Sequence, residues 1–296
     1  MIKSISAKTI LSGYNQSGWF CSNYNMNLYR GCVHGCIYCD SRSNCYNIEN
    51  FDEVSYKENA INILQNELRS KKKKGVIMTG AMSDPYNPFE KELNLTRKSL
   101  ELINRYGFGV SIITKSDLIT RDTQILKDIA KHSIVCVNIT ITTASDNLAK
   151  KIEPNAPSST KRFKAVKKLR SDNITTGVLM TPTLPFINDT KENIINMVKL
   201  AKIYNASYIY AYKDFCVSLR DNQRMYYYSK LDELFPKVKD KYINTFQDKY
   251  WCCSTNREKL WDIFVNECIK NNIEYDHKKI DEIIKKGYNK TQMSLF

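Results

Sequence analysis

The chain has 296 residues, of which 42% are hydrophobic, and this length and composition suit one sizeable α/β domain with an appendage. No apolar run approaches the ~20 residues that a bilayer-spanning helix needs, and residues 1–8 lack the apolar core of a signal peptide. Ten cysteines, three of them tightly clustered, favour metal chemistry in a reducing compartment over a disulfide framework. We therefore expect a cytoplasmic protein that makes no membrane contact.

The charge balance is strongly basic. The chain carries 45 Lys and Arg against 31 Asp and Glu, which gives a net charge of +14 and a pI near 9.2. Such a surface attracts polyanions, and nucleic acid is the usual one. An AT-rich coding sequence also produces a composition rich in Lys, Asn, Ile and Tyr, so charge alone does not establish DNA binding.

Apolar segments alternate with helical patterns between residues 58 and 215. Helices are predicted where apolar residues recur at helical spacing, over residues 57–70, 96–106, 120–131, 159–170 and 191–204. Strands are predicted at short apolar or β-branched runs, just before Cys32 and over residues 76–79, 110–114, 134–141, 176–180 and 208–212. Alternation with such short connections implies parallel pairing by right-handed crossovers. We therefore predict an α/β fold, a partial (β/α)6 TIM-type barrel that falls short of the closed eightfold barrel.

The sequence pattern changes after Tyr212. Residues 216–285 are rich in Tyr, Lys and Asp and are predicted to form several helices, the clearest over residues 257–270. We expect this helical extension to close the open side of the barrel. The predicted domains are therefore a barrel over residues 1–215, a helical C-terminal extension over 216–285 and a tail over 286–296.

The strongest chemical signal is the motif Cys32-x3-Cys36-x2-Cys39, in a loop that contains glycine. A tight loop can bring three thiolates to one face of an inorganic cluster, and this motif supplies no fourth ligand. A [4Fe–4S] cluster normally takes four cysteine ligands, so a three-cysteine site leaves one iron open to bind another molecule. The alternative is a closed zinc site in which Cys45 supplies a fourth thiolate.

With an aromatic residue, Tyr38, directly before its last cysteine, this motif resembles that of the radical S-adenosylmethionine (radical SAM) superfamily. The resemblance extends over roughly residues 20–215. Later motifs resemble the branch related to spore photoproduct lyase, often labelled DNA repair photolyase-like. They are Thr79-Gly-Ala-Met-Ser-Asp84-Pro-Tyr, Ile113-Thr-Lys115-Ser, Glu153-Pro-Asn-Ala-Pro157 with Arg162, and Pro182-x-x-Pro185 with Asn188-Asp189.

The resemblance implies two cofactors and the residues that bind them. They are a [4Fe–4S] cluster, held by Cys32, Cys36 and Cys39, and S-adenosylmethionine, which binds the open iron and is cleaved reductively to a 5′-deoxyadenosyl radical. An electron donor such as flavodoxin or ferredoxin is then needed. The residues implied to contact S-adenosylmethionine are Tyr38 near the adenine, Ser83 and Asp84 at the methionine amino group, Lys115 at its carboxylate, and Thr140 and Thr142 at the ribose or carboxylate.

Most of these residues follow predicted strands, at the edge where βα barrels build their active sites. Some of them also admit purely structural roles. Lys115 is alternatively a lysine in solvent at the end of a strand. Glu153 and Arg162 are as well explained by an ion pair as by ligand contact. His34, inside the cysteine motif, is expected to face solvent rather than iron.

One departure from the branch bears on the substrate. Spore photoproduct lyase has a cysteine two residues before its Ser-Asp pair that donates hydrogen to the thymine radical, whereas this sequence has Ala81 there. Repair of spore photoproduct itself is therefore not expected unless another thiol, such as Cys136 or Cys216, has taken over. The cysteines at 252, 253 and 268 match no cluster spacing and are interpreted as reduced structural residues.

The chain ends in Gln292-Met-Ser294-Leu295-Phe296, which resembles the short peptide by which bacterial repair and replication proteins bind the DNA polymerase sliding clamp. An exposed Leu-Phe pair can fill an apolar pocket while Gln292 forms hydrogen bonds at its rim. The alternative is an apolar terminus that folds back on its own barrel.

Three functions follow from these observations. The favoured one is a radical SAM enzyme, a lyase or a transferase, that acts on DNA in repair or modification. The second keeps the radical chemistry but acts on a peptide, an RNA or a small metabolite. The third is a zinc-stabilised DNA-binding protein that is tethered to the clamp and has no catalytic activity.

Overall fold

The computed structural model describes residues 2–13 and 18–292. In these ranges the strands, in chain order, are β1 (Lys3–Ile5), β2 (Leu11–Ser12), β3 (Tyr24–Met26), β4 (Tyr29–Arg30), β5 (Ser55–Lys57), β6 (Val76–Thr79), β7 (Gly109–Thr114), β8 (Val135–Thr140), β9 (Thr175–Leu179), β10 (Ile209–Tyr210), β11 (Cys216–Ser218) and β12 (Trp251–Cys253). The α-helices are α1 (Ala60–Ser70), α2 (Glu90–Leu93), α3 (Leu95–Arg105), α4 (Thr123–Ala130), α5 (Asp146–Ile152), α6 (Ser159–Ser171), α7 (Lys191–Ile203), α8 (Asp221–Leu234), α9 (Val238–Phe246), α10 (Arg257–Lys270) and α11 (His277–Gln292).

The main sheet among the described residues has the strand order β10-β9-β8-β7-β6-β3-β2. Six of these strands, from β3 to β10, pair in parallel, and β2 pairs antiparallel with β3 at the edge. Helices lie between the parallel strands in the chain, so the predicted α/β fold with a partial (β/α)6 barrel is confirmed.

The strand that was expected directly before Cys32 lies in a different place. The barrel strand is β3, and the chain then enters β4, which pairs with β5 in a separate sheet of order β1-β5-β4. The prediction missed this change because the apolar pattern continues from one sheet into the next. The break between β3 and β4 sets the direction in which the cysteine loop leaves the barrel.

The two faces of the main sheet bury different partners. On one face, Ile77, Val110 and Val137 belong to the large apolar core that the surrounding helices complete. On the other face, Met78 packs in a smaller cluster with Ile280 of α11. Successive strand residues point to opposite faces, so both faces of the central strands β6, β7, β8 and β9 are buried.

The region predicted to be helical also contains a two-stranded antiparallel sheet, the β11–β12 sheet. β11 pairs antiparallel with β12, and α8 and α9 lie between the two strands in the chain. Each strand has only three residues, too few to show the alternation by which strands are found in a sequence. Val217 of β11 and the nearby Leu219 share an apolar cluster with Tyr38 of the cysteine motif, so the extension packs directly against the cysteine loop.

No helix in the described part of the chain is long and apolar enough to cross a membrane.

Candidate active site at the carboxyl edge of the sheet

The three motif cysteines line one cavity at the carboxyl ends of the parallel strands. The cavity has a volume of about 90 Å³, and its other walls come from the segments that follow β6, β7 and β8. The structure places four further predicted site residues in these walls: Ser83, Asp84, Lys115 and Thr140. The edge at which βα barrels build active sites therefore carries the predicted chemistry.

The cysteine loop is held in a conformation that needs glycine at two positions. Gly31 has a φ of +80°, and a Cβ there would lie 2.7 Å from two backbone carbonyl oxygens. Gly35 has a φ of +69°, and its Cβ would lie 3.0 Å from Pro154 Cγ. Asn155 N donates a hydrogen bond to His34 O at 3.1 Å. Side chains at either glycine would therefore displace the loop that carries the cysteines.

Among the three motif thiols, Cys32 and Cys36 are buried and Cys39 is half-buried. Burial raises the pKa of Cys32 to about 12, and it also raises the pKa values of Cys36 and Cys39. Because thiolates are the metal ligands, binding of a cluster would displace the protons that burial favours on these groups. Three thiols on one cavity wall match the donor set that a [4Fe–4S] cluster with one open iron requires.

Cys45 does not join this group. Its side chain is exposed, and its Sγ accepts a hydrogen bond from Ser43 Oγ at 3.3 Å, outside the cavity that the three cysteines line. Among the described residues, no group of three or more His, Cys, Asp or Glu side chains is compact enough to hold a single metal ion. The zinc site with Cys45 as its fourth ligand is therefore wrong.

Asp84 joins the cysteine loop to the end of β7. Its Oδ1 accepts hydrogen bonds from Tyr86 N at 2.9 Å and Thr114 Oγ1 at 2.6 Å, and its Oδ2 accepts one from Lys115 N at 2.7 Å. His34 Nε2 lies 3.1 Å from the same Oδ2. Burial acts to raise the pKa of Asp84, but His34 and these hydrogen bonds outweigh it and bring the pKa to about 2.

These contacts correct one expectation and refine another. The expectation that His34 faces solvent is wrong, because its side chain is 3% exposed and packs against Asp84. Asp84 does line the cavity, but both of its oxygens already accept hydrogen bonds from the protein. It therefore acts first as the group that positions the loop, and it has little capacity left for a ligand amino group.

Lys115 is half-buried rather than free in solvent. Its Nζ lies 5.6 Å from the centre of the Tyr38 ring, a cation–π contact. Burial acts to lower the pKa of Lys115, but the nearby Cys36 and Glu153 raise it above its ordinary value. The ammonium group therefore stays charged beside the cysteines, where a carboxylate of a ligand can reach it.

Glu153 and Arg162 form a buried ion pair, which confirms the structural alternative for these two residues. Arg162 Nη1 lies 2.6 Å from Glu153 Oε2, and both side chains are fully buried. Burial acts to raise the pKa of Glu153, but Arg162 and Lys115 outweigh it and lower the pKa. The hydroxyl of Tyr38 donates a hydrogen bond to Glu153 Oε1 and so fixes the ring that lies below Lys115.

The remaining predicted residues divide between the cavity and its support. Ser83 Oγ donates a hydrogen bond to Gly31 O at 2.5 Å, and Thr140 lines the cavity while its carbonyl oxygen accepts a hydrogen bond from Arg162. Thr142 is 1% exposed, and its hydroxyl donates to Glu153 Oε1 at 3.4 Å. Thr142 thus supports Glu153 and does not line this cavity, and its predicted contact with the ribose or carboxylate stays a prediction.

A second cavity, which we call the aromatic cavity, adjoins the first. It has a volume of about 350 Å³, and the two cavities share the wall residues Cys39, Ser41 and Ala81. Its aromatic lining residues are Tyr38, Tyr46, Tyr212, Tyr250 and Trp251. Sequence reasoning missed this cavity, although the adjacent exposed aromatics at 250 and 251 were a signal that could have indicated a binding surface.

The charge of the aromatic cavity is balanced at its rim. The guanidinium carbon of Arg220 lies 5.6 Å from the ring centres of both Tyr46 and Tyr250. Arg220 Nη2 also lies 2.6 Å from Asp40 Oδ2, which neutralises the carboxylate that lines this cavity. The cavity therefore presents aromatic faces and no unpaired carboxylate from Asp40.

The structure separates the two thiols proposed as replacements for the missing hydrogen donor. Cys216 lines the aromatic cavity together with Ala81. Cys136 is fully buried, and its Sγ lies 3.1 Å from the hydroxyl of Tyr208 and 3.4 Å from Asn138 Nδ2. Cys216 is therefore the one of the two that borders the space next to the cysteine motif.

Comparison with known proteins decides the family. Residues 26–201 match the model of the Radical SAM superfamily, which is more than half of the chain. The chain belongs to the radical SAM superfamily. As a radical SAM enzyme it uses a [4Fe–4S] cluster and S-adenosylmethionine, and the donor set of three thiols in one cavity fits that cluster.

The radical SAM enzyme has relatives in archaea and bacteria. It is 33% identical over 234 residues to an uncharacterized protein of Methanocaldococcus jannaschii, which covers 77% of this chain and 87% of the relative. It is 24% identical over 262 residues to an uncharacterized protein of Mycobacterium tuberculosis, with 86% of this chain and 76% of the relative covered.

Solved structures agree with the fold. Spore photoproduct lyase complexed with dinucleoside spore photoproduct superposes with a TM-score of 0.65 at 11% identity, over 92% of this chain and 80% of that chain. At this identity the likeness shows that the two proteins share the radical SAM fold.

Proposed function

We propose that this radical SAM enzyme acts on DNA, in repair or modification. Cys32, Cys36 and Cys39 would hold the cluster, which when bound supplies the electron that cleaves S-adenosylmethionine to a 5′-deoxyadenosyl radical. Lys115 would pair with the methionine carboxylate through its charged ammonium group. Ser83 and Thr140, which line the same cavity, would orient the rest of the methionine moiety.

The observation that carries the nucleic-acid proposal is the aromatic cavity. Tyr212, Tyr250 and Trp251 line it and are 39%, 39% and 53% exposed. Aromatic side chains stack on the faces of unpaired bases, at about 1–3 kcal/mol per base. Because this cavity shares Cys39 and Ala81 with the cysteine cavity, a base stacked there would lie next to the site of radical formation.

Three further observations support the same substrate class. The net charge of +14 favours binding to a polyanion. Lys213 follows Tyr212 and Lys249 precedes Tyr250, and both lysines are exposed, so cations flank the aromatic residues in the chain. Spore photoproduct lyase has been solved with dinucleoside spore photoproduct, a nucleic-acid fragment, on the same fold.

Ala81 argues against repair of spore photoproduct by the mechanism of that lyase. The position is exposed in the wall that the two cavities share, and alanine has no thiol hydrogen to donate. Cys216 lines the aromatic cavity and is the thiol that we propose for hydrogen donation. A Cys216→Ser variant should therefore still bind nucleic acid.

Fluorescence anisotropy with labelled oligonucleotides tests the proposal on the cluster-loaded enzyme. We expect saturable binding of single-stranded DNA, weakened on the order of tenfold in Trp251→Ala because one stacking contact is lost. Met225→Ala is the matched control, because Met225 is also an exposed large side chain, at 69%, and does not line the cavity. Equal affinities of wild type and Trp251→Ala, or no binding at all, would contradict a base-binding cavity.

The same assay separates DNA from the alternative substrates. Binding of RNA at least tenfold tighter than DNA of the same sequence would move the proposal to RNA. Absence of binding to either polymer, together with 5′-deoxyadenosine release on reduction, would favour a peptide or a small metabolite. Flavodoxin or ferredoxin would supply the electron in each case.

We propose further that the C-terminal peptide binds the sliding clamp. Residues 293–296 and the side chain of Gln292 lie outside the described residues, so this proposal rests on the sequence alone. A labelled peptide of residues 290–296 should bind a purified bacterial clamp saturably in fluorescence polarisation. The matched control carries Leu295→Ala and Phe296→Ala and should not bind; equal behaviour of the two peptides would exclude the interaction.

A further inference from the structure

Two cysteines face each other across the β11–β12 sheet at the edge of the aromatic cavity. Cys216 of β11 is the register partner of Cys253 of β12. Both are free thiols. Cys252, which precedes Cys253 in β12, points to the opposite face of the strand and packs in the apolar cluster on that side.

The backbone hydrogen bonds between β11 and β12 and their flanking residues show whether Cys216 and Cys253 form a hydrogen-bonded or a non-hydrogen-bonded pair. Ser254 N donates to Phe215 O at 3.0 Å, and Leu219 N donates to Tyr250 O at 2.9 Å. Phe215 and Leu219 are four residues apart, directly before and directly after β11, and bonded and non-bonded pairs alternate along an antiparallel ladder. The pair Cys216–Cys253 is next to the bonded pair Phe215–Ser254 and therefore occupies a non-hydrogen-bonded position.

Such a position suits a disulfide. Opposed residues at non-hydrogen-bonded sites have Cα atoms about 4.5 Å apart, and disulfides form at Cα separations of about 4.4–6.8 Å. The two cysteines can therefore be joined with little movement of the backbone. Bonds at exposed or strained sites are the ones that thiol–disulfide exchange opens and closes.

The two cysteines differ in access, which orders the chemistry. Cys253 is half-buried and lies at the surface end of the pair, whereas Cys216 is 7% exposed and borders the cavity with Cys39 and Ala81. Burial raises the pKa of Cys216 to about 12, so in the reduced protein it keeps its hydrogen. Cys253 is therefore the first of the two to meet a reagent from solvent.

We propose that Cys216 and Cys253 form a redox-active dithiol that closes to a disulfide by exchange with a small-molecule disulfide. The thiolate of Cys253 attacks one sulfur of the reagent and releases one thiol, which takes up a proton. Cys216, on losing its proton, then displaces the second thiol from the mixed disulfide. The two cysteines are oxidised by two electrons, and the reagent disulfide is reduced to two thiols.

Closure of the pair changes the wall of the aromatic cavity. The disulfide form has no thiol hydrogen at Cys216, so it cannot donate one to a radical formed in the cavity. This consequence rests on the proposed function, whereas the pairing of the two cysteines does not. The oxidation state of the dithiol would then control hydrogen donation without affecting the binding of either cofactor.

Peptide mass spectrometry on the anaerobic, cluster-loaded enzyme tests the pairing. After treatment with oxidised glutathione and blocking of free thiols with N-ethylmaleimide, we expect a peptide pair linked through Cys216 and Cys253, which dithiothreitol reverses. Cys252→Ser is the matched control and should give the same linked pair. Cys253→Ser should give no linked pair, and Cys216 should be recovered as the maleimide or glutathione adduct.

Recovery of Cys216 and Cys253 as separate maleimide adducts in the treated wild type would overturn the proposal. Linkage through Cys252 instead would also overturn it, because the register would then be different. Oligonucleotide binding measured on the same samples keeps the two proposals apart. Loss of the linked peptides with intact DNA binding refutes the dithiol alone, and linked peptides without DNA binding refute the nucleic-acid substrate alone.

Discussion

Asp84 shows how single residues at the strand ends divide their work between support and chemistry. Its carboxylate is engaged by Thr114, Lys115 N and His34, so it ties the cysteine loop to β7. Lys115, in contrast, offers its charged ammonium group to the cavity. Asp84 therefore holds the cysteine loop in place, whereas in the proposed function Lys115 would present a cation to the cofactor.

Removal of one motif thiol should abolish cluster binding. We expect Cys36→Ala to contain no acid-labile sulfide after anaerobic reconstitution, to be colourless and to release no 5′-deoxyadenosine on reduction, because two thiolates cannot hold the cluster. Cys45→Ala is the control, since Cys45 is exposed and lies outside the cavity. A brown, active Cys36→Ala protein would show that the ligands are assigned wrongly.

Removal of the cavity cation should weaken cofactor binding and leave the cluster in place. A charge-assisted contact contributes about 1.5–3 kcal/mol, so Lys115→Ala should bind S-adenosylmethionine on the order of tenfold to a hundredfold more weakly. Calorimetric titration of the cluster-loaded protein measures this, with Lys199→Ala, an exposed lysine on α7, as the control. Unchanged affinity in Lys115→Ala would remove this residue from the site.

At the scale of elements, α11 completes a sheet that has six parallel strands and not eight. Ile280 and Ile284 of this helix pack with Met78, Cys136 and Leu179 on the face of the sheet opposite the large helical core. An open barrel would otherwise leave this apolar face in contact with water. The C-terminal extension is therefore part of the folding unit, and the division at residue 215 stays a prediction.

Truncation of an α11 side chain should destabilise the whole protein. Ile280 is fully buried, and Ile280→Ala should lower the free energy of unfolding by about 2–5 kcal/mol through lost burial and a cavity. Ile269→Ala is the matched control on α10, because Ile269 is 66% exposed and its truncation should change stability by less than about 0.5 kcal/mol. Urea unfolding followed by circular dichroism compares them; similar midpoints would show that α11 is not integral to the fold.

At the scale of the whole molecule, charge and local shape make separable contributions to binding. In the proposed function, the net charge of +14 would act on any polyanion, whereas the aromatic cavity would act on a base. The two contributions respond differently to salt, because only phosphate contacts release counterions. Measurement of affinity against salt concentration therefore tests whether DNA is held by the basic surface alone.

Affinity for single-stranded DNA should fall steeply with salt. We expect a loss on the order of tenfold or more between about 50 and about 200 mM salt, as several phosphate contacts would produce. Trp251→Ala should lower affinity at every salt concentration with an unchanged slope, because stacking releases no counterions. Affinity that does not respond to salt would show that the positive charge has no part in recognition.

The sequence predicted the parallel strands of the barrel and the helices between them. It also displays the motif Cys32-x3-Cys36-x2-Cys39, which indicated the chemistry. These features depend on periodicity and spacing within short segments, where neighbours in the chain determine the outcome. The short strands β11 and β12 were missed, since three residues carry too little pattern. The shared location of the three motif cysteines, Ser83, Lys115 and Thr140 in one cavity could be predicted because the carboxyl ends of parallel strands meet at one edge, whereas their roles stay predictions.

Only the tertiary structure decided the contacts between residues far apart in the chain. The approach of His34 to Asp84, the burial of Glu153 with Arg162 and the pairing of Cys216 with Cys253 each join separate loops or strands. No local pattern encodes such contacts, because they depend on how whole elements pack and on which groups that packing removes from water. The sequence by itself therefore determined the kind of chemistry, and the packing decided which side chains carry it out and which hold them in place.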